Sequence, residues 1–387
     1  MKITALREQT VDISRYADPA IPSGGLTTSI VALETDVVRN GSAVVGLGFS
    51  SIGRFGQHGL IYDRFAPRLL AASEDELISE AGDNLDPFRA WDVMMRGEKA
   101  GGHGERCVAV GTLDMAIWDA AAKIAGLPLH RFLRDTLGLD GDAASDVAVY
   151  ASGGYCYPHD DAARLDDEMR RMRDAGYTHV KIKIGSGTLD DDLRRIDMVT
   201  QIFPAERVAV DAMNAYGPAA ADAAARALLP YGLWWFEDIC DPHDLATHRT
   251  IAAFYPHRIA AGEALFSAQE AALLADHGGL RPQQDILLFD PVHCYGVPGF
   301  LRIIETMNAR GWPNSAFWPH GGHLFTLHVA GALGLGGSEL NPYSFAPFGG
   351  LADGAAVVDG RSQLPQGPGT GFETKRDLRA FFDWLET

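Results

Sequence analysis

Acidic side chains close three successive apolar runs of the sequence at equal spacing. The runs and their closing acids are RVAVD (207–211) with Asp211, LWWFE (233–237) with Glu237, and RIAAGE (258–263) with Glu263. From each acid to the next is 26 residues, the length of one strand–helix unit. Three carboxylates at neighbouring strand ends repel one another unless a cation lies between them, and oxygen ligands suit Mg²⁺. The spacing therefore predicts a Mg²⁺ site, although a helix N-cap would explain any single acid.

Two lysines lie on the run that precedes these three. The segment HVKIKI (179–184) carries Lys181 and Lys183, whose side chains point to the same face of a strand. An exposed edge strand is the alternative to a buried position. Two ammonium groups close together near a divalent cation lower each other's pKa, which suits a general base. Lys183, nearer the strand end, is the predicted base, and Lys181 is predicted to depress its pKa and to contact a substrate carboxylate.

An aspartate and a histidine close the next two runs. DILLFD (285–290) ends in Asp290, and NSAFWPH (314–320) ends in His320. A carboxylate beside an imidazole fixes its tautomer and raises its pKa. The pair therefore predicts a general acid on the side away from the lysines. His323 is the alternative acid, although it lies past the strand in the first turn of the next helix.

Eight apolar runs position these residues. Six of them are named above. VAVYA (147–151) precedes these six as the first run, and GGSEL (336–340) follows them as the last. Helical segments that end in glycine separate the runs, which is typical of parallel βαβ units. Eight units close a TIM barrel, predicted here over residues 145–351. An open doubly wound sheet is the alternative, but no GxGxxG follows the first run.

The flanking regions predict a capping domain. Residues 2–14 and 28–48 alternate like antiparallel strands, and helices follow from about Glu74, most clearly over 108–125. A sheet followed by helices indicates an α+β domain, predicted over residues 1–135. The C-terminal segment 352–387 ends in the amphipathic stretch TKRDLRAFFDWLET, and we expect it to pack back on this domain.

Composition excludes several classes of partner. The 387 residues carry a net charge of −18, which disfavours nucleic acids and anionic membranes. An anionic substrate would then require a metal ion or a few lysines to reverse the local field. The four cysteines form no CxxC pair, which argues against disulfides or structural zinc. The N-terminus alternates like a strand rather than a signal peptide, so a cytoplasmic location is expected.

Together these residues resemble the mandelate racemase group of the enolase superfamily. The matching features are the KxK of the second run, the acids that end the third to fifth, the aspartate of the sixth, the histidine of the seventh, and the segment AVGTLDMAIWDAAAKIAGLPLHRFL (109–133). The resemblance implies that Lys183 abstracts an α-proton, that Asp290 and His320 work on the opposite face, and that the three acids hold Mg²⁺. It also implies a cap that selects the substrate with loops 17–28, 50–59 and 96–106.

The resemblance suggests three substrate contacts, each with an alternative. Glu339 closes the eighth run at a position that often touches the substrate in the group, or it is a solvated acid. Asn214 follows Asp211 by three residues where the group often has Asp-x-Asn, which leaves its role in doubt. The second carboxylate of a diacid needs a cationic partner, and Lys99 in loop 96–106 is the candidate. The alternative for Lys99 is a solvated surface lysine.

Four segments most resemble the D-tartrate dehydratases of that group: LLFDPVHCYGVPGFLRIIE, FWPHGGHLFTLH, GLGGSELNPYSFAPFGG and EKAGGHGER. The resemblance implies Mg²⁺-dependent loss of water from a small hydroxy-diacid, D-tartrate giving oxaloacetate, and a homo-oligomer. Dehydration of another acid sugar and racemisation of an α-hydroxy acid would use the same site. A catalytically silent metal-binding or scaffold protein is the alternative from another class. Such a protein would lack one of the lysines, acids or histidine, but this sequence retains them all.

Overall fold

A three-stranded antiparallel sheet forms the first part of the chain. In the computed structural model, which describes residues 1–141 and 144–386, its strands are β1 (Ile3–Asp12), β2 (Thr27–Arg39) and β3 (Ser42–Phe49), in that order. Asn40 and Gly41 connect β2 to β3 with positive φ angles of 51° and 84°, as a tight two-residue hairpin turn requires.

Five helices follow this sheet, and the first begins earlier than expected. A π-helical segment (Leu60–Phe65) leads directly into the first of them. The helices are α1 (Ala66–Ala71), α2 (Glu74–Leu77), α3 (Pro87–Met95), α4 (Glu105–Ala125) and α5 (Leu129–Leu137). The clearest predicted helix, 108–125, is thus α4 with an additional turn at its start. Gly126 in the left-handed conformation (φ 70°) ends it, as is common for glycine after a helix.

The helix α4 is buried on nearly all sides, which a one-sided apolar pattern did not predict. It packs against β3 on one side and against the barrel on the other. Glycines allow both close approaches: a Cβ on Gly48 of β3 would lie 2.6 Å from the Thr112 carbonyl oxygen, and one on Gly111 would lie 1.7 Å from the Val292 carbonyl oxygen. The helix therefore joins the N-terminal sheet to a loop of the barrel.

The predicted barrel is confirmed, with a parallel sheet that closes on itself. Its strands are β4 (Asp146–Ser152), β5 (Val180–Lys183), β6 (Val208–Asp211), β7 (Trp235–Glu237), β8 (Ile259–Ala261), β9 (Ile286–Leu287) and β10 (Ser338–Leu340). Each strand from β4 to β8 pairs in parallel with the next, and β10 pairs in parallel with β4. This closure excludes the open doubly wound sheet.

The seventh predicted run does not form a regular strand. A 3₁₀ turn occupies Asn314–Ala316, and Phe317 alone bridges to Leu287. Backbone hydrogen bonds still fill the gap, because Trp318 N donates to Leu287 O at 2.9 Å and Gly336 N donates to Phe317 O at 3.0 Å. Pro313 and Pro319 lack an N–H on either side of this bridge, which limits the ladder. The segment completes the barrel as an extended piece.

Helices surround the barrel and a short C-terminal segment covers the N-terminal sheet. The barrel helices are α6 (Asp161–Asp174), α7 (Leu189–Thr200), α8 (Pro218–Leu228), α9 (Leu245–Ala252), α10 (Ala268–His277), α11 (Gly296–Asn308) and α12 (Leu324–Leu333). A hairpin of β11 (Val357–Val358) and β12 (Arg361–Gln363) pairs with β4, and α13 (Arg376–Glu386) packs on β2. Among the described residues, none of the helices combines the length and the apolar character that crossing a bilayer needs.

The contact of Gly111 with the barrel yields a stability prediction. We expect Gly111→Ala to lower the free energy of unfolding by about 1–3 kcal/mol, because its methyl group would overlap backbone that cannot move away freely. Gly59→Ala is the matched control, since a Cβ there meets nothing closer than 4.0 Å. Urea denaturation followed by tryptophan fluorescence measures both. Equal stability of the two variants would contradict the close approach of α4 to the barrel.

Candidate active site

Three carboxylates meet at the carboxyl ends of neighbouring barrel strands. Asp211 and Glu237 are the last residues of β6 and β7, and Glu263 lies two residues beyond β8. One carboxylate oxygen of each residue lies within 4.8 Å of one oxygen of each of the other two. The Glu263 Oε2 atom is buried with no hydrogen-bond partner among the described residues. A carboxylate oxygen left free inside an acidic cluster fits a divalent cation, so the triad suits Mg²⁺ as the sequence predicts.

Neighbouring groups hold two of the carboxylates in place. Trp235 Nε1 donates to Glu237 Oε2 at 2.7 Å, and Met213 N donates to Asp211 Oδ1 at 2.7 Å. Burial raises the pKa of Glu237 well above its ordinary value. Burial also raises that of Asp211, but the charges of Lys183 and Lys181 outweigh this and the pKa is lowered. The site therefore holds more negative charge than its surroundings can solvate without a cation.

The two lysines lie inside the barrel, against these acids. Lys181 is fully buried and its Nζ donates to Glu237 Oε1 at 2.5 Å, while Lys183 Nζ donates to Asp211 Oδ2. Burial lowers the pKa of Lys183, and the charge of Lys181 lowers it further, but the surrounding acids together raise it above its ordinary value. This is the direction without the divalent cation, whereas the prediction is for the site with the cation bound. The lowered pKa depends on a cation that neutralises the carboxylates.

Asp290 and His320 form a buried pair on another side of the triad. His320 Nδ1 lies 2.9 Å from Asp290 Oδ2, and His320 Nε2 lies 3.7 Å from Glu263 Oε2. Burial lowers the pKa of His320, but the charges of Glu263, Glu339 and Asp290 together raise it to about 9. The imidazole is therefore protonated at neutral pH and faces the triad.

His323, the alternative acid, lies behind this pair. Its Nε2 is 3.0 Å from Ser51 Oγ, and its ring packs edge-on to Phe49 with centroids 4.8 Å apart. Burial lowers its pKa to about 4, so it is neutral at pH 7. These contacts favour His320 as the group that faces the substrate.

Glu339, at the middle of β10, joins the site. Its Oε1 lies 3.2 Å from Lys181 Nζ, and its Oε2 accepts a hydrogen bond from Gly321 N at 3.1 Å. Burial raises its pKa, but Lys181, His320 and Lys183 together lower it to about 2. The solvated alternative is excluded, because the residue is 2% exposed.

Among the described residues, the side chains of the other two predicted substrate contacts make no hydrogen bond to the triad. Asn214 has a positive φ of 58°, and its Nδ2 donates to Cys240 O at 2.8 Å, so its amide ties two loops together. Lys99 is exposed in the wall of a separate cavity of about 460 Å³ with Arg106, Phe266 and Tyr295. The structure thus does not bring Lys99 to the lysines and acids described above.

Sequence reasoning missed four polar residues of the site. Ser51 of the cap donates to Asp290 Oδ2 at 2.7 Å. Neither ring nitrogen of the buried His293 has a hydrogen-bond partner within the described chain, and its ring centroid is 5.4 Å from that of His320. Asp238 is buried with a positive φ of 43°. Arg15 lines a cavity of about 320 Å³ beside Lys183. Of these four residues, only Asp238 could have been found from the sequence, because it is a polar residue directly after a predicted strand end.

The arrangement can move protons on two sides of one metal site. Lys183 comes from the second barrel strand and His320 from the seventh segment, and both approach the triad. A base on one side and a protonated acid on the other suit removal of an α-proton followed by departure of a hydroxyl, or delivery of a proton to the opposite face.

Comparison with known proteins gives the family. A family model described as enolase C-terminal domain-like matches residues 164–378, more than half of the chain. L-talarate/galactarate dehydratase of Salmonella typhimurium is 27% identical over 310 residues, which cover 79% of this chain and 71% of that protein. Arabinonate dehydratase of Saccharolobus solfataricus is 25% identical over 298 residues, which cover 74% and 75%.

Solved structures share the fold over almost the whole chain. The mandelate racemase/muconate lactonizing enzyme from Polaromonas sp. JS666 has a TM-score of 0.74 at 25% identity, covering 96% of this chain and 93% of that one. An L-talarate dehydratase from the same organism, complexed with Mg and L-glucarate, has a TM-score of 0.72 at 24% identity, covering 96% and 94%. The expected fold of a capped barrel is therefore confirmed.

The triad yields a metal-binding prediction. We expect millimolar Mg²⁺ to raise the melting temperature, because a ligand that binds only the folded state stabilises that state. Glu263→Gln removes one anionic ligand and should abolish most of this shift. The exposed Glu305 of α11 provides the control, and Glu305→Gln should keep the full shift. Scanning fluorimetry measures all three proteins, and an unchanged shift in Glu263→Gln would refute the assigned ligand.

The Asp290–His320 pair yields a pH prediction. The pKa of His320 in the folded protein is about 9, above the usual 6.5. Protonation of this group therefore stabilises the fold fully below pH 6.5, and the contribution is lost as pH rises through 9. NMR titration of ¹⁵N-labelled histidine measures the value, which Asp290→Asn should lower. Added Mg²⁺ should lower it too, because it neutralises Glu263. A value near 6.5 in the metal-free protein is the contradicting result.

Proposed function

The chain belongs to the enolase C-terminal domain-like family, and from that membership and the site we propose that it is a Mg²⁺-dependent dehydratase of a small hydroxy-diacid. D-tartrate is the proposed substrate, and oxaloacetate and water are the products. The proposed cap of residues 1–135 and 352–387 closes the mouth of the barrel over this substrate.

One observation carries the proposal: a protonated histidine and a buried lysine approach the same acidic triad from different barrel segments. Lys183 contacts Asp211, and His320 Nε2 lies 3.7 Å from Glu263 Oε2. Loss of water requires a base for the α-proton and an acid for the departing hydroxyl. The two groups supply these roles around one cation.

The three carboxylates would hold Mg²⁺, which supplies Lewis-acid stabilisation of the charge that develops on the substrate carboxylate. Lys183, as the neutral amine, takes the proton from the α-carbon. Lys181 remains paired with Glu237 and Glu339 and keeps its positive charge beside the substrate carboxylate.

His320 completes the elimination. Asp290 accepts from its Nδ1, so the proton on Nε2 points toward the triad and passes to the β-hydroxyl as the carbon–oxygen bond breaks. Water leaves, and the remaining enol takes up a proton at carbon to give oxaloacetate. Atoms balance, because tartrate equals oxaloacetate plus one water.

The choice of tartrate rests on the four tartrate-dehydratase-like segments rather than on the comparisons. The relatives are named for talarate, galactarate, arabinonate and gluconate and are 25–27% identical to this chain. Dehydration of another acid sugar fits the site equally well.

The presence of a proton-transfer group on each of two sides also favours a second candidate, racemisation of an α-hydroxy acid, which needs no leaving group. Association into a homo-oligomer stays a prediction.

The function is tested with a panel of acids in the presence of Mg²⁺. We expect D-tartrate to yield a keto acid, and the other tartrate stereoisomers, galactarate, arabinonate and gluconate to yield less. Lys183→Ala and Lys183→Arg should each lower turnover by at least about 10²-fold and abolish deuterium exchange at the α-carbon. The arginine variant keeps a positive charge at this position but cannot act as the base. Loss of exchange in this variant would therefore come from the missing base rather than from the missing charge.

His320→Asn gives the complementary result. We expect it to keep α-carbon exchange while losing keto-acid formation, because it lacks only the acid for the hydroxyl. Exchange that persists in both Lys183 variants would refute the assigned base. Turnover of a longer acid sugar but of no tartrate would refute tartrate and leave the dehydratase, whereas inversion without keto acid would favour the racemase.

A further inference from the structure

A cavity of about 320 Å³ lies directly beside Lys183, with a wall contributed by the cap. Its lining includes Lys183 and Ala212 from the barrel, Arg15 and Tyr16 from the segment after β1, and Tyr155 from the loop after β4. Its volume is at the small end of ligand sites in proteins. A short substrate whose α-carbon faces Lys183 would extend into this space toward the cap.

We propose that Arg15 binds the second carboxylate of the substrate in this cavity and so selects diacids. The inference rests on the proposed function and replaces Lys99 as the cationic partner of that carboxylate. Lys99 lies in a different cavity, beside Phe266 and Tyr295, whereas Arg15 shares one with the predicted base.

The segment that carries Arg15 is held in place by its own hydrogen bonds. Ser14 Oγ donates to Ile21 O at 2.8 Å, and Arg15 N donates to Ser23 Oγ at 2.8 Å. The guanidinium has one weak contact, from Nη2 to Ser23 O at 3.5 Å. Its Nε is buried and has no acceptor among residues 1–141 and 144–386. A positioned arginine with unused donors at a cavity wall suits an incoming carboxylate, which accepts two parallel N–H donors.

The aromatic ring of Tyr155 lies close to both cations. The Arg15 Cζ lies 5.7 Å from the ring centroid and the Lys183 Nζ lies 5.2 Å from it. The two groups are therefore no further apart than these distances laid end to end. A four-carbon diacid needs a contact of about 3 Å at each end and two carbon–carbon bonds of about 1.5 Å each between the reacting carbon and the far carboxylate, a span that does not exceed this limit.

Charge makes this contact specific. The protein carries a net charge of −18, and the far carboxylate must leave water inside a narrow cavity. An anion buried without a partner is strongly unfavourable, so a cation at this point favours a carboxylate over a neutral group. Lys183 cannot fill both roles, because the proposed chemistry needs it as a neutral amine.

The test compares binding of two matched acids that lack a hydroxyl and so cannot be dehydrated. Succinate carries the far carboxylate, and succinamate carries a neutral amide in its place. Calorimetry with the Mg²⁺-loaded full chain should show that succinate binds about tenfold or more tightly than succinamate. In Arg15→Gln we expect that ratio to fall to about one, with the affinity for succinamate unchanged. Arg15→Lys should restore part of the ratio.

The matched control is Arg7→Gln, which changes a second arginine of the cap. Arg7 lies on β1, where its Nη1 donates to Glu34 Oε2 at 3.4 Å, away from the residues that line the cavity. We expect this variant to keep the full preference for succinate. Equal melting temperatures of the variants would show that any lost preference does not come from unfolding.

Three outcomes would overturn the proposal. They are no preference for succinate in the unmodified protein, including no binding at millimolar concentration; an unchanged ratio in Arg15→Gln; and loss of the ratio in Arg7→Gln instead. The proposed function fails separately, if succinate binds as expected but no hydroxy acid is dehydrated. If D-tartrate is dehydrated with the same KM by Arg15→Gln, the function stands and the role of Arg15 is refuted.

Discussion

The balance of buried charge at the strand ends is the constraint on which the rest of the site depends. Strand register places Lys183 beside Asp211 and Asp211 beside Glu237, so opposite charges meet through the ladder itself. Lys181 is fully enclosed and shared among Glu237, Glu339 and Asp211. Removing one member of such a network leaves a buried charge without a partner, which costs about 3–5 kcal/mol in comparable pairs. The fold and the chemistry therefore share the same residues.

This balance also explains how the lysines and the histidine differ in proton affinity. The carboxylates raise the pKa of Lys183, and they raise that of His320 as well. A divalent cation among them withdraws this effect from both. His320 keeps its own support, because Asp290 accepts from Nδ1 and is itself held by Ser51 and the backbone N–H of Val292. In the proposed mechanism, metal binding would therefore favour the neutral form of Lys183, while Asp290 would keep supporting the protonated form of His320.

Much of the barrel and its strand-end residues could be predicted from the sequence, because the apolar runs and the length of each strand–helix unit are visible in short stretches of the chain. The equal spacing of Asp211, Glu237 and Glu263 required only that the strands lie side by side. The seventh run was harder, since prolines on either side of Phe317 reduce its pairing to a bridge. The direction of the lysine pKa could not be predicted, because it depends on what lies among the acids.

Contacts between the cap and the barrel could not be predicted in the same way. Ser51 and Asp290 are separated by 239 residues, and no local pattern links them. Arg15 and Lys183 are far apart in the sequence, and only the folded chain shows that both approach the ring of Tyr155. Lys99 was a reasonable choice by composition, since loop 96–106 is basic and glycine-rich, but its position in space decides against it.

The hydrogen bond from Ser51 has a consequence for the modularity of the two domains. Ser51 adopts a positive φ of 55° and reaches from the cap into the pair that supplies the acid, where it also contacts His323. A cap transplanted from a relative would bring its own substrate loops but would remove this donor unless it kept a hydroxyl at the same point. Exchange of domains between such proteins would therefore change the hydrogen bonding of the Asp290–His320 pair as well as the loops of the cap.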